Sequence, residues 1–216
     1  KSITEAIALA RETGAALHIA HLTTANGIDL VRAAKKEGLH ITCEVAPHHL
    51  FLTVDDYDTL GTFAKMNPPL RTMDNRDALW EGITDGTVDC IATDHAPHQI
   101  SEKKNTESPL DAPSGVPGVE TMLPLLLSVA NGHWPHPRSK RPVVSGQKSE
   151  LLSTEDVTRL CFTNPNRIFN LGKNPDDDQI TIDLDFKWTI KGSELHSKCG
   201  WTPFEGWEVM GRVVQH

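Results

Sequence analysis

The order of elements predicts an α/β chain: the second half of a (β/α)8 TIM-type barrel followed by part of a C-terminal accessory β segment. Three observations carry that expectation. Short apolar runs of strand type alternate with amphipathic helical stretches three times, through the short connections of parallel crossover units. A closed barrel needs eight such units, and the 216-residue chain opens inside a helical pattern and stops at VVQH in strand-like sequence, so both ends read as cut. Past residue 172 the pattern changes to the alternation of half-buried strands. An open doubly wound sheet is the structural alternative.

Each element has its own signal. Residues 2–14 place Ile3, Ala6, Ile7 and Ala10 at helical spacing and stop at Gly14. ALHIAHL (16–22) reads as a short buried strand. Residues 28–38 form a helix with Ile28, Val31 and Ala34 on one face, and HITCEVA (40–46) is the next strand, closed by Pro47. The stretch 47–73 is loop-rich, and Pro68-Pro69 keeps it extended. A helix over 76–86 leads into the buried strand VDCIATD (88–94). A polar loop covers 99–115, and 118–132 is apolar enough for a packed helix despite Pro124. Residues 133–150, rich in Pro, Ser and basic side chains, read as an exposed insertion that carries His133 and His136. Ser153, three residues before Asp156, starts one or two helices over 153–171. TIDLDFKWTI alternates like a strand, and the tail WTPFEGWEVMGRVV reads as loop plus strand. The expected division is a half-barrel over 1–172 and a β-rich accessory segment over 173–216.

Composition narrows the class. Apolar residues at 38% and charged ones at 23% suit an ordinary globular chain. The formal charge of −8 excludes a general binder of nucleic acid or anionic membrane, which would rest on clustered Lys and Arg. No apolar run approaches the ~20 residues of a membrane helix. Two charges sit where a signal peptide needs an apolar core, and four scattered cysteines without a CxxC pair read as free thiols. A cytoplasmic protein is therefore expected.

Of the eleven histidines, five are His21, His48, His49, His95 and His98. Each of the three polar clusters lies at the carboxyl end of an expected strand: His21 after ALHIA, His48 and His49 after ITCEVAP, Asp94 after DCIAT. In a parallel barrel that edge gathers the catalytic groups on one rim. An acid closing so apolar a strand is costly unless it is paired, hydrogen-bonded or on a metal. His18 and His21 point to opposite faces of a strand, and no two histidines stand two apart, so these residues alone do not complete a metal site.

HIAHLTT, CEVAPHHLFLT, KMNPPLR, CIATDHAPH and PSGVPGVETMLPLLL, in that order, resemble the dihydroorotases of the cyclic amidohydrolase superfamily, which are metal-dependent hydrolases. The tail KWTIKGSELHSKCGWTPFEGWEVMGRVV is similar to that family's closing segment. The resemblance covers nearly the whole chain outside 133–150 and corresponds to the C-terminal half of the family. It implies reversible cyclisation of N-carbamoyl-L-aspartate to L-dihydroorotate in pyrimidine biosynthesis, by a zinc-activated hydroxide at a centre of two Zn2+. It implies that His21 binds the more buried zinc, and that Asp94 touches the other and shuttles the proton. Asn67 and His98 match groups that hold the substrate, and Ser114 and Gly115 match a loop that offers it backbone contacts. Glu44 matches the position of an additional zinc in animal-type enzymes, but the cysteine that accompanies it there is Ala20 here. The family's HxH strand, substrate arginine, bridging carboxylate and one further histidine ligand belong to the first half. Implied partners are that missing half of the barrel, a second copy, or aspartate transcarbamoylase.

Other readings stand beside these. Hydantoinases and allantoinases share the TDH motif, and an inert dihydroorotase-like subunit that supports aspartate transcarbamoylase would share the fold. Asp94 would suit a helix cap were Pro97 not so near. Asn67 before Pro68 is also what a turn selects. Glu44 would serve equally as the partner of a cation at the rim. His48 and His49 point apart if the chain is extended, with at least one hydrogen-bonding across the barrel mouth.

Overall fold

In the computed structural model, which describes residues 2–104, 108, 110–144, 150–177 and 179–215, the strand pattern resolves into one parallel sheet. Its strands β1 (Leu17–Ile19), β2 (Ile41–Val45) and β3 (Cys90–Ile91) lie in that order. The register sets Leu17 beside Ile41, Ile19 beside Cys43, Glu44 beside Cys90 and Val45 beside Ile91. All three are shorter than the apolar runs that contain them. Burial along β2 alternates: Ile41, Cys43 and Val45 are buried, while Thr42 and Glu44 are half-exposed. One face of the sheet is thus roofed by helices, and the other carries His18, Thr42 and Glu44.

The roof is α1 (Ser2–Thr13), α2 (Ala25–Lys36) and α5 (Met73–Thr84), with α2 touching both of the others. Helix α2 starts three residues before the expected boundary because the Thr24 hydroxyl accepts from the Gly27 amide and caps it. Its buried face is Ile28, Val31 and Ala34, as the spacing requires.

The stretch 47–73 is more ordered than a loop. It holds α3 (Pro47–Phe51), a 3-10 turn over Val54–Asp56 and α4 (Tyr57–Leu60). Pro47 occupies the first turn of α3, where a missing N–H costs nothing, so the residue that closes the strand also opens a helix. Leu50, Phe51 and Leu52 are fully buried there, and the Trp80 indole donates to the Leu50 carbonyl at 2.8 Å.

The expectation of an exposed insertion over 133–150 fails in its first part; 145–149 lie outside the described residues. Trp134 packs on Phe51 (centroids 5.2 Å) and Trp80 (5.9 Å), and His136 is buried. Buried Arg76 on α5 draws the segment in, donating to the Ser139 hydroxyl and the Lys140 carbonyl. Two aromatic rings need cover, and basic residues on either side do not change that.

The polar loop 99–115 contains α6 (Ile100–Lys104). Helix α7 (Val119–Ala130) accommodates Pro124, and α8 (Thr154–Thr158), capped reciprocally by Ser153 and Asp156, runs through a π-turn into α9 (Asn164–Ile168). Strands β4 (Thr181–Thr189) and β5 (Glu208–Gln215) pair antiparallel, and β5 packs on α7. Ser128 ties them: its hydroxyl donates to the Pro124 carbonyl and accepts the Met210 amide, both at 2.7 Å. Among the described residues, no helix is long and apolar enough to cross a membrane.

Candidate active site

Parallel strands deliver their carboxyl ends to one edge, and the polar clusters meet there. His21 and Asp94 follow β1 and β3, and both have left-handed backbone, φ +37° and +47°. A non-glycine residue in that region costs on the order of 1–3 kcal/mol and persists only where its surroundings demand it. Two such residues at the ends of strands in one sheet mark a site. Their side chains share one field. Burial raises the Asp94 carboxyl above its ordinary range, the His21 imidazole opposes this, and the Glu44 charge adds to it; the net shift is upward.

His48 and His49 close the mouth from α3. They do not point apart, because the chain is helical: their rings meet edge to face, centroids 4.2 Å apart. His49 Nε2 donates to the Pro68 carbonyl at 2.9 Å, bringing the NPPLR loop to the same mouth. His48 Nε2 lies 3.7 Å from Asp94 Oδ2, too far for a hydrogen bond, and has no partner although the side chain is 2% exposed. Burial, then the neighbouring His49 and His21, push His48 well below the ordinary range of an imidazole. His49 is pushed down to about 4, by burial first, its bond to Pro68 opposing. Both therefore stand neutral at pH 7, and His48 presents an unused buried nitrogen toward Asp94.

The other expected residues stand around this edge. Asn67 is exposed beside the cis Asn67–Pro68 peptide. His98 Nε2 donates to the Ser114 carbonyl at 3.0 Å, and its Nδ1 lies 4.0 Å from the Glu102 carboxylate. Gly115 has φ +131°, and a Cβ there would stand 2.5 Å from Ala96 Cβ, so no side chain fits. Its amide donates to the Lys65 carbonyl at 3.0 Å.

Glu44 lies on the inner face of the sheet below the rim. His18 Nε2 bonds its carboxylate at 3.1 Å, while His18 Nδ1 contacts the Thr42 hydroxyl at 2.8 Å. With Cys90 Sγ these donor atoms lie within 4.8 Å of one another. Burial, then Glu44 and Asp89, push the Cys90 thiol up to about 12, so it stands as a thiol beside the His18–Glu44 hydrogen bond.

Two structural roles here escaped the reading of the sequence. His95 Nδ1 accepts from the Gly118 and Val119 amides (3.0 and 3.3 Å), capping α7 in place of the usual hydroxyl or carboxylate. Lys103 is fully buried, a state that a charge-rich stretch such as SEKKN does not announce.

Strand–helix units with polar groups massed at the carboxyl edge give the chain the fold of part of an amidohydrolase-type α/β barrel. It is homologous to the dihydroorotases. It is 44% identical over 211 residues to the dihydroorotase of Halobacterium salinarum, covering 95% of this chain and 44% of that protein. Among solved structures it superposes on the L-hydantoinase (dihydropyrimidinase) of Arthrobacter aurescens with a TM-score of 0.85 at 27% identity, covering 98% of this chain and 45% of that one. The inactive dihydroorotase-like domain of the Chaetomium thermophilum CAD-like multifunctional protein superposes with a TM-score of 0.69 at 25% identity, covering 98% and 52%. The chain thus spans about half the length of the relatives it matches. No protein-family model matches it.

Proposed function

We propose that the protein to which this chain belongs is a dihydroorotase, opening L-dihydroorotate to N-carbamoyl-L-aspartate and closing it in the biosynthetic direction. The observation that carries the proposal is the convergence of His21 and Asp94, each on strained backbone, at one sheet edge. The identity of 44% to a dihydroorotase, against 27% to the hydantoinase, favours this substrate over the other cyclic amides.

The residues fit a metal centre. Imidazole and carboxylate are zinc donors, and the unpartnered His48 Nε2 beside Asp94 is a buried polar atom aimed at the same space. His21 and Asp94 would hold two Zn2+ together with ligands from the rest of the barrel, and Glu44 is the candidate for any further zinc. When bound, zinc supplies a nucleophile at neutral pH and polarises the amide carbonyl. Asp94, its carboxyl raised by burial, takes the proton of the attacking water and hands it to the leaving ring nitrogen. Asn67 and His98 Nδ1 orient the substrate, with Ser114 beside them. Kinship with a CAD-like multifunctional protein supports aspartate transcarbamoylase as a partner of the whole protein.

The test is turnover by the full-length protein of dihydroorotate, hydantoin and allantoin side by side. Dihydroorotate should have the highest kcat/KM. Preference for hydantoin or allantoin would replace the substrate, and silence toward all three with zinc present would favour an inert supporting domain.

A further inference from the structure

The stretches 65–70, 95–98 and 113–116 share no secondary structure beyond one bridge between His95 and Val116, yet the first and third meet at one cation and the second is tied to it through Trp201. Lys103, on α6, is 0% exposed. Its ammonium donates to the carbonyls of Pro113 at 2.7 Å, Lys65 at 2.9 Å and Thr62 at 3.4 Å, so each of its three hydrogens has an acceptor. Among the described residues no carboxylate lies within 4.0 Å of it. A buried ammonium held by carbonyl dipoles alone gathers them, because three converging oxygens repel one another once the cation is removed.

The carbonyls it gathers adjoin the site. Lys65 stands two residues before Asn67, and its carbonyl also receives the Gly115 amide. Pro113 immediately precedes Ser114, whose carbonyl accepts from His98. The Trp201 ring lies 5.7 Å from the ammonium, leans edge-on against Phe63 (4.8 Å), and donates its indole N–H to the His98 carbonyl at 2.7 Å. Asn67, His98 and Ser114 are therefore each one or two links from one ammonium, which touches none of them.

We propose that Lys103, with Trp201, is a positioning residue that sets the separation of the loops gripping the substrate. The proposal rests on the reading of Asn67, His98 and Ser114 as substrate contacts. It assigns Lys103 an effect on binding and leaves the proton chemistry to Asp94.

The test uses the full-length protein. Lys103→Met, close in length and uncharged, should raise KM roughly tenfold or more with kcat held within about threefold, and Lys103→Arg should recover part of the loss. Trp201→Phe keeps a ring but drops the donor to His98, and should raise KM in the same direction without shifting the melting temperature. Hydrogen exchange at the Gly115 amide reports the clamp without any substrate and should accelerate about tenfold in Lys103→Met. If Lys103→Met does not fold, Trp201→Phe decides by its KM. Unchanged KM and unchanged Gly115 exchange, or a fall in kcat at constant KM, would overturn the proposal. Preference for another cyclic amide would sink the dihydroorotase reading alone, because the KM comparison on that amide and the exchange measurement would still judge Lys103.

Discussion

Asp94 sits where its backbone is strained and its charge is disfavoured, and both costs point to chemistry. A carboxyl whose protonated form is favoured by burial, yet which stands beside an imidazole, takes up and releases a proton readily. Asp94→Asn in the full-length protein should keep the fold and lower kcat by roughly 10²–10⁴-fold, the usual contribution of a positioned acid–base group. Circular dichroism and steady-state rates check this together; activity within about tenfold of the parent would remove the assigned role. The places of His21 and Asp94 at strand ends were legible in the sequence because polar residues closing apolar runs are conspicuous. The roles of His95 and Lys103 were not, because their partners are backbone groups 10 to 41 positions away that carry no side-chain signature.

At the scale of elements, the short helices over 47–60 are held by a polar contact that crosses the chain. Asp56 accepts from the Thr53 amide, from His136 Nε2 at 3.2 Å and from Arg138. His136 Nδ1 accepts the Arg138 and Ser139 amides, which fixes its tautomer with the proton on Nε2. Burial alone would raise the Asp56 carboxyl, but these donors outweigh it and hold the group below its ordinary 3.8. A carboxyl lowered in the native state stabilises the fold above its unfolded pKa. That contribution is lost as pH falls below about 4, where the unfolded chain binds the proton first. Urea midpoints of the parent should therefore drop between neutral pH and about pH 3. Asp56→Asn should lose on the order of 1–3 kcal/mol at pH 7 and show a flatter acid limb. An acid limb as steep in the variant as in the parent would show that Asp56 is not a source of the dependence. The sequence reading took Pro47 as a terminator and the basic, Pro-rich run after 132 as solvent-facing. Both follow local composition, whereas the Trp134 and His136 positions are set by Phe51, Trp80 and Asp56, far away along the chain.

At the scale of the molecule, three strands present the site but do not enclose it. Among the described residues β1 and β3 each pair on one side only, and the inner face of the sheet carries His18, Thr42 and Glu44. A four-coordinate zinc needs more donors than His21 and Asp94 supply. The purified 216-residue chain alone should therefore bind zinc weakly and give no measurable ring opening; turnover by it without a partner chain would show that the site is built otherwise. By itself the sequence determined the alternation of the three parallel strands with the longer helices, the shared edge to which the strands point, and the identity of the residues placed there. Hydrophobic period and polar punctuation are local properties, and a parallel sheet converts them directly into direction. Only the tertiary structure decided the left-handed backbone at His21 and Asp94, the ring contact of His48 with His49, and the burial of Lys103 under Trp201. Those depend on which distant groups arrive at the same point, and the cost of burying a charge or straining a residue is balanced there, among neighbours that no window of sequence contains.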